Sequence, residues 1–284
     1  PVGAADRVIA VLVHQGSGTV GEREAGERLE LISRFVDRFE AARRARPTTP
    51  AAEMQQGLLP PRVRRVGDME VAGGVLPAYD VGGDWFDVIE AADAVWIAIA
   101  DGVGKRVRAA AFAAAVAGGF RAARFNGLGL RATAGAMDAS MREARGNDHD
   151  FVTAVVARID LGTHRVEWIT CGHPDPLLLS ASGEVTKLHS EGTFPLGLFE
   201  PERRWPVAEA ELRPGDALVL ISDGVTERRL ADGGRVELAG VVAALTGAGG
   251  SAGALLEAVQ ATVAECSPEP LRDDATTLVV RRAP

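Results

Sequence analysis

The chain has 284 residues, 46% apolar and 25% charged, with a net charge of −8. These values fit a soluble globular protein with a substantial core, built as one large domain or as one domain with an appendage. The negative charge argues against duplex nucleic acid as a partner, and no apolar run approaches the roughly 18 residues that a membrane span requires.

The only cysteines, Cys171 and Cys266, lie far apart with no Cys-x-x-Cys spacing. That suits free thiols in a reducing cytoplasm. The early run "RVIAVLV" is too short, and too soon followed by charge, for a secretory signal. The first residue is Pro1 rather than Met, which leaves room for an upstream segment.

Residues 1–48 differ in character from the rest. "DRVIAVLV" reads as a short strand. "GEREAGERLELISRFVDRFEAARRAR" reads as a helix with Leu29, Ile32, Phe35, Val36 and Phe39 along one face. Acids open it and arginines close it, as the helix dipole favours. This stretch is expected to be a linker or sensor-domain remnant, joined by "PTTP" to a second domain over 49–284. Its apolar stripe must meet either that domain or a second copy of the chain, and a homodimer through this helix is expected.

Beyond about residue 62 the pattern turns strand-rich. "MEVAGGVLPAY" suggests a strand pair or a bulged strand, and "AVWIAIA" (94–100) a buried strand. Helices follow over about 107–125 and 131–145. "FVTAVVARID" and "HRVEWIT" form a hairpin, and "PLLLSASGEVTKLH" a second, turning at Ser182-Gly183. "RPGD" is a turn that feeds the apolar strand "ALVLIS". Two helices, near 236–246 and 252–265, precede a final strand, "ATTLVVRR". This order lacks the alternation of a parallel α/β fold. It predicts largely antiparallel sheets with helices packed outside.

Two apolar strands end alike, "AIADGV" at 98–103 and "LISDGV" at 220–225. Asp101 and Asp223 therefore sit where buried strands emerge. Asp273 and Asp274 open the last strand, and Asp84 lies in the glycine-rich bend "YDVGGDWFDV". Four segments can thus bring a carboxylate to one end of the sheets. Gathered carboxylates repel one another unless a cation compensates, and oxygen-only ligands suit Mg²⁺ or Mn²⁺. A single structural Ca²⁺ is the competing site, and each Asp-Gly taken alone reads as a turn. His14, His149, His164 and His189 show no zinc spacing. His173, between Gly172 and Pro174, reads as structural.

The ordered set "VGGDWFDV", "IADGVG", "FVTAVVARID", "CGHPDPLLL", "FPLGL", "LRPGDALVLISDGVTE" and "LRDDATTLVV" resembles the bacterial PPM-type (PP2C-like) serine/threonine phosphatases of the SpoIIE/RsbU kind, over about residues 50–282. The resemblance implies an α+β fold: two face-to-face, mainly antiparallel sheets flanked by helices, behind an N-terminal helical linker. It implies hydrolysis of phosphoserine or phosphothreonine in a protein, typically a STAS-type anti-sigma-factor antagonist, by a water activated between two Mn²⁺ or Mg²⁺ ions. By motif position Asp84 and Asp101 bridge the ions and are the catalytic pair. Gly102 offers its carbonyl to one ion, and Asp223 and Asp274 hold the other. Trp85 and Phe86 would anchor the Asp84 bend in the core, Asp87 would assist through a water, and Asp273 would stand outside the ligand set.

The chain departs from the family's Asp-x-x-Gly-His-Gly pattern. It reads "DGVGKR", with Lys105 in place of histidine and Arg106 in place of glycine. At a helix N-terminus these two could attract substrate phosphate; they could equally be solvated side chains. The departure also leaves room for a pseudophosphatase-like module that binds a partner without turnover.

Overall fold

The computed structural model describes residues 2–4, 7–10, 57–79, 81–198 and 204–284. The chain divides into two compact units, Pro1–Thr49 and Pro50–Pro284. In the first, β1 (Val2–Ala4) and β2 (Arg7–Ala10) pair antiparallel. The helix expected over 22–46 lies outside the described residues.

The second unit holds eleven strands in two sheets. They are β3 (Val63–Val66), β4 (Met69–Leu76), β5 (Asp84–Glu90), β6 (Ala94–Gly102), β7 (Val152–Asp160), β8 (Arg165–Cys171), β9 (Leu177–Leu179), β10 (Val185–Lys187), β11 (Ala208–Glu211), β12 (Ala217–Ile221) and β13 (Ala275–Arg282). One sheet has the order β10-β9-β12-β13-β4-β3 and the other β11-β8-β7-β6-β5. Every strand pairing within them is antiparallel. The helices are α1 (Val107–Phe125), α2 (Leu130–Ala144), the single turn α3 (Asp223–Thr226), α4 (Glu237–Gly247) and α5 (Ala252–Glu265). No helix among the described residues is long and apolar enough to cross a membrane.

Strand periodicity sorts the side chains into layers, because successive residues face opposite sides. Along β6, Val95, Ile97 and Ile99 join the core between the sheets, where Phe86, Trp168, Leu220 and Leu278 also lie. The intervening Trp96, Ala98 and Ala100 pack beneath α1 and α2 with Phe112, Val116, Phe120 and Met137. On the far side, Val219, Ile221 and Val279 meet Val241, Leu245, Leu256 and Val259 of α4 and α5. The result is helix, sheet, sheet, helix. The Ala-rich face of β6 lets α1 approach closely, while the Ile and Val face fills the space between sheets.

Three local expectations change. "MEVAGGVLPAY" holds one strand, β4, rather than a pair or a bulge; it runs between β13 and β3 with unbroken register. Asp84 lies in a strand rather than a glycine bend: it opens β5, opposite Asp101 of β6. Trp85 and Phe86 therefore face opposite layers instead of anchoring one bend. Trp85 meets Phe120 of α1 edge-on, with ring centroids 5.7 Å apart, and Phe86 enters the inter-sheet core.

Candidate active site at the mouth of the sandwich

The alternation that builds the inter-sheet core also builds the site. Asp84 shares the parity of Phe86, and Asp101 that of Ile99. Asp274 and Thr276 share the parity of Leu278, and Ser222 that of Leu220. Where the apolar residues stop, the same inward-facing positions turn acidic or hydroxylic. Strands β5 and β6 thus deliver Asp84 and Asp101 to one end of the sandwich, Asp274 joins them directly before β13, and the turn after β12 adds Asp223.

Asp84 is 1% exposed. Its Oδ2 accepts hydrogen bonds from Ser222 Oγ at 2.8 Å and Thr276 Oγ1 at 2.5 Å, both from the opposite sheet. Burial first, then the charges of Asp101 and Asp274, hold its carboxyl well above the usual range, while the two hydroxyls pull the other way. Burial, followed by Asp223 and Asp273, pushes Asp101 up to about 7. Asp223, the most exposed of the four, is raised by burial and then by Asp273 and Glu227. Burial also raises Asp274, against the Ala78 N–H that donates to its Oδ1 at 2.8 Å.

Two glycines permit this closeness. A Cβ on Gly82 would stand 1.4 Å from Asp274 Oδ2, and one on Gly224 1.9 Å from the Asp274 carbonyl oxygen. Side chains at these positions would push apart the segments that carry the acids.

Among the described residues, no three acidic, histidine or cysteine side chains converge tightly enough as they stand to enclose an ion. The donor chemistry nevertheless fits a hard divalent cation. The donors are all oxygen, they are partly desolvated, and neighbouring acids disfavour the ionisation of each of them, which a bound cation would reverse.

Other singled-out residues have different surroundings. Asp87 is turned toward α1 and pairs with Arg121 at 2.6 Å, so its expected role through a water gives way to a structural ion pair. Asp273 is exposed and acts electrostatically on Asp101, Asp223 and Asp274. His173 is buried, with Nδ1 2.9 Å from Thr153 Oγ1, and burial lowers it to about 3, so it is neutral. Lys105 donates to Tyr79 Oη at 2.9 Å, and Arg106 caps α1 at φ 61°. The cations of both lie over the Tyr79 ring, at 5.2 and 6.0 Å.

Ser222 and Thr276 escaped sequence reasoning. The available signal was their spacing: Ser222 directly precedes Asp223, and Thr276 falls two residues after Asp274 on the same strand face.

This architecture is that of PP2C-type phosphatase domains. The SiaA-PP2C domain of Pseudomonas aeruginosa superposes with a TM-score of 0.67 over 90% of this chain and 98% of its own, at 20% identity. The structure of the RsbU and RsbW domains of a Mycobacterium tuberculosis protein matches with a TM-score of 0.64 at 26% identity, over 76% of this chain and 62% of that one.

Within that class the chain belongs to the Stage II sporulation protein E (SpoIIE) family, which it matches over residues 91–283. The phosphoserine phosphatase RsbU of Bacillus subtilis (strain 168) is 26% identical over 192 residues, 64% of this chain and 54% of RsbU. The chain thus spans about half the length of that curated relative.

Proposed function

We propose that the Pro50–Pro284 unit is a metal-dependent protein phosphatase that removes phosphate from serine or threonine of a protein substrate. The observation that carries this reading is the cross-strand pair Asp84 and Asp101, its carboxyls raised by burial and by the neighbouring acids. Family membership and the name of the RsbU relative support the reaction class.

Asp84, Asp101, Asp223, Asp274 and the Gly102 carbonyl would together hold two divalent ions, Mn²⁺ or Mg²⁺. When bound, such ions supply a water of lowered pKa and positive charge against the phosphoryl oxygens. The chain's own part is positional. Ser222 and Thr276 fix one oxygen of Asp84 from the opposite sheet and so orient its carboxylate. Gly82 and Gly224 keep the acid-bearing segments close. Lys105 and Arg106, at the rim on Tyr79, would draw the phosphate toward the acids, whose field would otherwise repel it.

By analogy with the family, the substrate is a phosphorylated STAS-type anti-sigma-factor antagonist, and the setting is cytoplasmic. Incubating the chain and Mn²⁺ with such a phosphoprotein, and reading the loss of phosphate by mass, tests this. Loss from serine or threonine supports it, and retention in full contradicts it.

Lys105→Ala is expected to raise KM for a phosphopeptide severalfold and leave kcat within about twofold, because it removes binding common to substrate and transition state. An unchanged KM would return Lys105 to an ordinary surface role.

Two copies are proposed to pair through residues 22–46, on the strength of the apolar stripe that their sequence would place along one face of a helix. Light scattering on the full chain reads this directly: a dimer mass supports it and a monomer mass opposes it.

A further inference from the structure

Arg228 is a buried cation, 6% exposed, that the reaction as described does not use. It lies just beyond α3, the turn that starts at Asp223, and the Glu227 N–H beside it donates to the Asp223 carbonyl at 2.7 Å. Its guanidinium donates to four main-chain carbonyls. Nε reaches Val263 O at 3.0 Å, Nη1 reaches Pro270 O at 3.1 Å, and Nη2 reaches Ser267 O at 2.9 Å and Glu269 O at 2.6 Å. These carbonyls belong to the last turn of α5 and to the loop that runs from it into Asp273 and Asp274.

A charge withdrawn from water this far is costly unless its hydrogen bonds are met. Here they are met by the last turn of α5 and the loop that follows it. A planar fork of five N–H groups can serve four carbonyls fixed in this way, whereas an ammonium has three donors on a single atom. At its other end the same loop is held where Gly224 of α3 packs against the Asp274 carbonyl with no room for a Cβ. The chain between these two holds ends on Asp274.

We infer that Arg228 is a positioning residue for the metal site: it clamps the 263–270 main chain to the segment after α3 and so fixes Asp274 relative to Asp223. This rests on the metal-binding reading of those two aspartates. Arg228 touches neither substrate nor ion. It sets the spacing that two acids from separate segments need in order to hold one ion together.

The test is Mn²⁺ binding by titration calorimetry on the full chain, with hydrogen exchange of residues 263–275 measured alongside. Arg228→Met is expected to weaken Mn²⁺ binding about tenfold or more, the range seen when groups that orient metal ligands are removed. It is also expected to speed exchange in that loop while leaving β5–β8 protected. Arg228→Lys should fall between this variant and the wild type, and it carries the same test if Arg228→Met does not fold.

Mn²⁺ affinity within twofold of the wild type, with the loop loosened, would overturn the positioning role and leave Arg228 a loop staple. A wild-type chain that binds no Mn²⁺ would overturn the metal reading itself. The two failures are therefore distinct.

Discussion

Asparagine in place of Asp84, Asp101, Asp223 or Asp274 is expected to abolish nearly all Mn²⁺-dependent phosphate release while leaving the fold intact. Each change keeps the side chain's size and removes the charge that would hold an ion. The stability of the metal-free protein should respond in the opposite sense. Asp101 has an ordinary carboxyl value of 3.8 and is raised to about 7 in the folded chain. Between those values the folded state binds more protons than the unfolded state, so stability falls as pH rises through that window. The loss approaches about 1.4 kcal/mol per pH unit for a fully sequestered group, and less here because Asp101 is only partly buried. The amide of the Asp101→Asn variant does not titrate. In chelator, the wild-type melting temperature should drop between pH 5 and pH 8. The Asp101→Asn variant should drop less and melt above the wild type at pH 8. A variant melting below the wild type at pH 8 without metal would refute this linkage between Asp101 and stability.

Gly224→Ala is the second large effect. The added methyl would meet the Asp274 carbonyl oxygen at 1.9 Å. That atom is main chain and has no rotamer to escape into. Either α3 or the start of β13 must move, and either movement separates Asp223 from Asp274. Overpacking of this kind costs ~1–3 kcal/mol in stability. The larger expected loss is functional: Mn²⁺ affinity and Mn²⁺-dependent turnover should each fall by about tenfold or more. Gly118→Ala is the control. It lies within α1, where a Cβ meets nothing within 4 Å, and it should be neutral or stabilise by up to ~1 kcal/mol. Wild-type Mn²⁺ affinity in Gly224→Ala would show that this contact does not govern the site.

The parts of the fold that the sequence disclosed are those whose apolar pattern is unbroken. "AVWIAIA" and "ALVLIS" lie in β6 and β12, the 107–125 helix is α1, and both expected hairpins form. Acids placed at the ends of such runs were legible for the same reason. β5 was not, because Gly82, Gly83 and three aspartates mask a strand whose two faces are both buried. β11, with the sequence AEAE, is a short, charged edge strand and offers no apolar run to detect. Asp223 looked like the twin of Asp101. Asp101, however, lies within a strand that continues to Gly102, whereas Asp223 begins a helical turn. Asp87 resembled its neighbours in the motif until strand parity turned it toward Arg121. Arg228 sits in "TERRL", where one arginine cannot be told from the next without knowing which of them meets the loop before β13.

The central claim is that phosphate is released from phosphoserine by ions held among Asp84, Asp101, Asp223 and Asp274. Phosphate release from a phosphoserine peptide by chelator-treated protein, measured as Mn²⁺ is added back, tests it most directly. The account predicts no release without metal and a saturable rise with Mn²⁺ that Asp84→Asn eliminates. Release that persists in metal-free protein, or that Asp84→Asn leaves unchanged, would contradict it.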